Sequence, residues 1–224
     1  MPWTSTFQSA TTGQVIRRVT DSTIGEFVQA EIARPLGVDY FIGTPSSEHH
    51  RIAPLVMSPV AAAAPTSATA AATATATATA NELASRMFAP VYPPISPPWN
   101  SPEFWSAEIP VTNGICTARA LATIYGELAR DGGSLVSRDA VAAMAALVYD
   151  GVDEVQQVPV RRTLGFELRP DWADDGRPDH AFGHPGAGGY LSFADPQARV
   201  GFAYVKYAGS PVPGQPDPRA GPLI

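Results

Sequence analysis

Through the first two thirds of the chain, apolar positions recur at helical spacing. Gly13 to Val19 reads as a short helix. Thr23-Ile24-Gly25-Glu26 fits a capping box, in which the Thr23 hydroxyl takes an early helix amide and Glu26 reaches back to the Thr23 amide. Ile24, Phe27, Val28 and Ile32 then share one face, until Pro35 and Gly37 end the helix. Residues 38 to 58 follow neither period and read as irregular. Asn81 to Phe88 fits a short helix, and five prolines between Pro90 and Pro98 demand an extended loop. Thr117 reads as an N-cap, with Leu121, Ile124, Tyr125 and Leu128 on the apolar face behind it and Asp131-Gly132-Gly133 as the stop. Ser137 caps a further helix, with Val141, Met144, Leu147 and Val148 on its apolar side and an expected end at Gly151.

Beyond Gly151 the period changes to two. Thr163 to Leu168 is short and β-compatible. Gly189 to Ala194 reads as a strand, Asp195 to Arg199 as a turn, and Val200 to Tyr207 as a second strand. Phe202, Tyr204 and Lys206 fall on one face of that strand, Ala203, Val205 and Tyr207 on the other, so the two form an antiparallel hairpin. The tail from Ser210 is proline-rich and reads as mobile as far as Asp217. Between the helical stretches, residues 60 to 80 hold twelve Ala and six Thr with Pro65 inside. This is a low-complexity insert, too weakly apolar to span a membrane and with nothing large to bury as a strand. The organisation is therefore a helical region at 1–58, the Ala/Thr insert at 59–80, a second helical region at 81–151, antiparallel strands at 152–209 and a tail at 210–224. No repeat of 20–50 residues occurs.

Charge narrows the function. The 224 residues carry a net charge of −6, with a pI near 5.1, which leaves no basic excess to meet a phosphate backbone and excludes a general nucleic-acid binder. A single cysteine, Cys116, excludes an internal disulfide framework and a Cys-rich zinc site. The start, Met1-Pro2-Trp3-Thr4-Ser5, has neither a charged lead nor an apolar core, so no signal peptide is read and a cytoplasmic location is expected. Fourteen of the fifteen basic residues are arginine, and Lys206 is the only lysine. Any chemistry that needs a lysine base must use that residue.

Few constellations carry chemistry. His49 and His50 beside Glu48 would point opposite ways on extended chain, which suits a solvated loop better than a shared metal. His180, Asp179 and Asp175 form a looser group. The four histidines lack HxH or HExxH spacing, so no metal and no cofactor is expected. There is no GxSxG elbow and no phosphate-cradling loop. Cys116 stands just before a helix N-cap, where a helix can lower a thiol pKa, although it reads more simply as a small buried apolar residue. The most informative stretch is Phe182-Gly183-His184-Pro185-Gly186-Ala187-Gly188-Gly189. Its four glycines allow close approach of backbone or ligand, and its histidine stands at the mouth of an edge strand.

Several segments together resemble the serine β-lactamase and penicillin-binding-protein superfamily, in its carboxylesterase-like branch. Gly13-Gln14-Val15-Ile16-Arg17-Arg18-Val19 looks like that family's GE(V/L)IRRV helix. Residues Phe27 to Gly37 look like its F-x-x-x-E-I-x-x-P-L-G segment, followed by Asp39-Tyr40-Phe41-Ile42-Gly43. Asn113 to Ala122 is similar to N-G-I-x-T-A-R-x-L-A. Phe182 to Gly186, running on to Ala194-Asp195-Pro196, is like its GH-x-G…FADP block, and Asp217-Pro218-Arg219-Ala220 resembles the start of its closing helix. The resemblance implies an α+β protein, here a partial serine β-lactamase-like fold: a helical region plus the C-terminal strands of an antiparallel sheet. It also implies an acyl-enzyme mechanism on a small ester or β-lactam-like amide. In that mechanism a Ser-x-x-Lys pair supplies nucleophile and base, a tyrosine assists, and a Lys/His/Trp-x-Gly triplet borders the substrate. Carried over, the triplet is His184-Pro185-Gly186, with the Ala187 amide as oxyanion donor.

The other elements depart from the pattern. Ala203 stands three residues before Lys206, so no Ser-x-x-Lys occurs in the sequence. The resemblance places that motif upstream of the Gly13 helix. Trp3 lies near the expected tyrosine motif, and no tyrosine precedes Tyr40. The sequence also stops at Ile224, early in the expected closing helix. The expectation is a C-terminal portion of a hydrolase that is inactive alone. The alternatives are a non-catalytic binding protein acting by strand addition and a truncated relic without function. With neighbouring strands missing, the sheet is expected to expose an edge and an apolar face, giving marginal stability or self-association through that edge. A cooperative thermal transition in a dilute monomer would contradict this expectation.

Overall fold

The computed structural model describes residues 5–56, 99–110, 112–154, 158–171, 175–186, 189–207 and 219–224. The Ala/Thr insert, the helix expected at Asn81–Phe88, the proline loop at 90–98 and the tail from Ser210 to Asp217 lie outside these residues.

Helix α1 (Ser5–Thr20) extends well before the expected Gly13 start and leaves Val15 and Val19 exposed. The capping box then forms as read from sequence: the Thr23 hydroxyl accepts from the Glu26 amide at 3.2 Å, and Glu26 Oε2 accepts from the Thr23 amide at 2.9 Å. It opens α2 (Ile24–Val28), which runs through a π-helical turn (Gln29–Ala33) into α3 (Arg34–Leu36). Pro35 has no amide to donate. The π-turn, marked by the bond from the Arg34 amide to the Gln29 carbonyl, re-spaces the ladder just ahead of it. Bonds from the Gly37 amide to Arg34 and from the Val38 amide to Ala33 close the helix.

Residues 38 to 58, expected to be irregular, contain β1 (Tyr40–Ile42) and a 3₁₀ turn (Ser46–Arg51). β1 pairs antiparallel with β2 (Gly114–Cys116), with Tyr40 opposite Cys116. Two short helices and one long one follow: α4 (Pro102–Ser106), α5 (Ala118–Ala129) and α6 (Arg138–Ala145). Thr117 and Ser137 cap α5 and α6 by accepting from the Ala120 and Ala140 amides. α6 stops six residues short of the expected Gly151. The Val148 amide instead donates to the Arg162 carbonyl, and Leu147 and Val148 are exposed. The apolar helical period continues formally to Val148, but its β-branched and aromatic end is drawn into strand pairing.

The second layer is one antiparallel sheet in which strand order equals chain order: β3 (Tyr149–Val152), β4 (Pro159–Arg162), β5 (Glu167–Leu168), β6 (Phe182–Pro185), β7 (Leu191–Asp195) and β8 (Val200–Tyr204). The expected hairpin is β7–β8. Its turn is held by Asp195 Oδ1, which accepts from the Gln197 and Ala198 amides, each at 2.9 Å. β3 was not expected as a strand, and β4 only as part of the 152–209 stretch; β6 corrects the expected edge position of His184, because it pairs with β5 on one side and β7 on the other. Among the described residues no strand pairs the outer edge of β8. Just past β8, the Val56 amide donates to the Tyr207 carbonyl.

Both sheet faces are covered at β7, whose five residues are all buried. On one side Tyr125, Leu128 and Ala129 of α5 and Val141 of α6 pack on Leu168, Phe182 and Ala194, with Phe166 tilted against the Phe182 ring at 5.2 Å. On the other, Ala181, Leu191, Phe193 and Ala220 cluster with Phe202 and Tyr204, and Phe193 stacks on Phe202 at 5.0 Å. α5 crosses β8 at backbone contact. A Cβ on Gly201 would lie 2.2 Å from both the Ala122 carbonyl oxygen and the Gly126 nitrogen. No described helix is long and apolar enough to cross a membrane.

Two outcomes follow from this packing. Gly201→Ala forces α5 away from the sheet and is expected to cost about 1–3 kcal/mol, read as a lower urea midpoint. Asp195 is the second. Burial raises its pKa, but the Ala198 and Gln197 amides and the His180 ring, at 2.8 Å, outweigh that and hold it below the usual range. A depressed native pKa adds stability above the unfolded value, and that stability is lost as pH falls through the native one. Asp195→Asn is therefore expected to lower Tm at neutral pH, with a penalty that fades on acidification below about 3.9.

Candidate active site

His184 lies in β6, opposite Ser192 of β7. Its side chain is 58% exposed, and Nε2 stands 3.8 Å from Glu167 Oε1. Nδ1 lies 2.5 Å from the Pro185 carbonyl oxygen. The buried Tyr125 hydroxyl of α5 lies beside Ser192, the residue paired with His184. α5 thus supports the strand pair that presents the histidine.

After Pro185 the chain turns sharply. The Gly186 amide donates to the Tyr190 carbonyl, and the Gly189 amide donates to the Gly186 carbonyl, both at 2.8 Å. A Cβ at Gly186 would come 2.8 Å from Tyr190 Cδ2, so only glycine fits beneath that ring. Ala187, the third residue expected at the site, lies outside the described residues.

A second group gathers near this turn. Tyr40 and Cys116 face each other across β1–β2, and Cys116 is close enough to Tyr190 for their charged forms to repel. Burial, with repulsion from Cys116 and Tyr125 added, pushes the Tyr40 phenol up to about 12. Burial alone pushes the Cys116 thiol up to about 11, and it also raises Tyr190. Burial thus moves the Cys116 thiol in the direction opposite to activation. This wall is neutral at physiological pH: two phenols and a thiol. Sequence reading did not single out Tyr40, Tyr190 or Glu167 as site residues. The one available signal was the place of Tyr190 directly after the glycine run.

The other histidine groups resolve into structural contacts. His49 Nε2 lies 3.0 Å from the Thr44 carbonyl, and its ring meets Trp105 edge-on. His50 Nδ1 lies 2.9 Å from the Ser47 carbonyl, and Glu48 pairs with Arg51. The looser group at 175–180 does not converge: Asp175 pairs with Arg177, Asp179 with Arg169 and His180 with Asp195. Lys206 lies past the end of β8, the second strand along from His184.

Known proteins share the family and the fold of this chain. The sequence profile of the Beta-lactamase family matches residues 6–221. A penicillin-binding-protein homologue from Caulobacter crescentus superposes with a TM-score of 0.73 at 33% identity, over 98% of this chain and 56% of that one. A family VIII carboxylesterase does so with a TM-score of 0.73 at 30% identity, over 95% of this chain and 53% of that one. The esterase/beta-lactamase LipL of Mycobacterium tuberculosis is 38% identical over 104 residues, 44% of this chain and 23% of LipL. The chain thus spans about half the length of these solved structures.

The thiol offers a direct check. With its pKa near 11, Cys116 is expected to react with iodoacetamide at pH 8 about 100-fold more slowly than an unperturbed cysteine of pKa about 8.5. Unfolding in guanidinium should abolish the difference.

Proposed function

The chain belongs to the Beta-lactamase family of β-lactamase-related, carboxylesterase-like hydrolases, and we propose that it is the C-terminal portion of a serine hydrolase that cleaves an ester or β-lactam-like amide through an acyl-enzyme. In this reading His184 and Gly186 border the substrate, and the Ala187 amide donates to the oxyanion of the tetrahedral intermediate. The nucleophile and its base come as a Ser-x-x-Lys pair from a segment outside this sequence, so the chain alone is inactive. The observation that supports the reading most is the glycine corner. An exposed histidine ends a strand that continues into a turn pinned at Gly186, beside an uncharged wall from β1–β2.

Assayed alone, the chain is expected to release no burst from p-nitrophenyl butyrate and to resist a fluorophosphonate probe. Joined to an upstream segment that carries Ser-x-x-Lys, it is expected to hydrolyse the ester. In the joined protein Ala187→Pro deletes the donor amide and should lower kcat by about 10²–10³ with little change in KM. A joined protein that stays inert, or one indifferent to Ala187→Pro, refutes the reading. Stoichiometric labelling of the chain alone refutes the claim that it is inactive.

A further inference from the structure

We infer that Glu167 is a specificity-determining residue of this site, a carboxylate set beside His184 that turns away substrates carrying their own carboxylate and admits neutral esters. The word substrate rests on the hydrolase reading, whereas the charge arrangement stands on the geometry alone.

The Glu167 side chain is largely withdrawn from water, at 16% exposure. Its counter-charge comes from Arg162 on the neighbouring strand, with Nη1 3.2 Å from Glu167 Oε1. That guanidinium is divided, because Nη2 also donates to Asp153 Oδ2 at 3.3 Å. The charge of Glu167 is therefore only partly compensated by Arg162. The same Oε1 then faces outward to His184 Nε2 at 3.8 Å, while the other ring nitrogen is occupied by the Pro185 carbonyl. Nearby arginines are committed to other acids: Arg161 lies 3.5 Å from Asp150, and Arg169 pairs with Asp179. Tyr190, which packs over Gly186, and Tyr40 and Cys116 of the β1–β2 ribbon are kept neutral by burial.

A ligand that docks against the exposed His184 edge thus meets a partly buried negative charge one ring away. For a carboxylate, two like charges at about 5–6 Å, weakly screened by water, reduce affinity by about ten-fold or more. A neutral ester presents only a carbonyl dipole and escapes most of that repulsion. If Glu167 served only to hold Arg162 and the strand, its loss would change both ligand types alike.

The test uses the chain itself, with ¹³C in the histidine rings, titrated at low ionic strength with phenylacetate and with methyl phenylacetate while the His184 signals are followed. Glu167→Gln is expected to raise the ratio of carboxylate to ester affinity about ten-fold or more, and that gain should shrink as salt is added. Asp153→Asn, which leaves Arg162 with one acid fewer to compensate, should move the ratio the same way by less, and it carries the test if Glu167→Gln does not fold. Equal changes for both probes, an unchanged ratio in both variants, or no His184 response to either probe overturns the inference. The joined-protein assay tests the hydrolase reading separately, so the two failures are distinguishable.

Discussion

The close approach of α5 to β8 is the constraint on which the rest of this structure depends. Gly201 has no side chain, so the carbonyl of Ala122 and the backbone of Gly126 come down onto the strand. Helix and sheet then meet at backbone distance instead of the wider spacing that intervening side chains impose. That height sets where Tyr125 and Leu128 enter the sheet, and hence how Phe182 and Ala194 are buried beneath them. It also brings the Tyr125 hydroxyl to Ser192, directly across from His184.

The site is built from pieces with different tolerance. β6 and β7 are held by a four-pair register and by packing on both faces, so His184 sits on a rigid element. The turn after it depends on one glycine under one ring, with two backbone bonds closing it. The β1–β2 ribbon approaches from the helical region and adds a wall without ionised groups. Placing an exposed imidazole on a strand paired along its length fits a group whose position must be reproducible while its ring remains accessible.

Legibility followed locality. Thr23, Thr117 and Ser137 were readable as caps because a cap involves residues three apart. The β7–β8 hairpin was readable because Phe202 and Tyr204 alternate and Asp195 carries its own turn chemistry. β1 and β2 were not, since Tyr40 pairs with Cys116 across a large part of the chain and neither segment has a period of its own. β3 was hidden by an apolar spacing that continues α6, and β4 by two arginines in four residues. At the site, glycine density pointed to His184 and Gly186. Glu167 and Tyr190 become meaningful only once strand register and ring packing bring them to the histidine, which no pattern along the chain encodes.

In the sheet each strand is bonded to the next in sequence, from Tyr149 to Tyr204. Ordering such a meander closes only short loops, so little chain entropy is spent before each new ladder is rewarded. Hairpins can add one after another, and the strand bearing His184 finds its neighbours without a search through distant chain. The contact that must wait is α5 on β8, where a helix formed earlier in the chain settles on the last strand added. A long-range tie in this half is thus made at Gly201, where α5 meets the last strand of the meander.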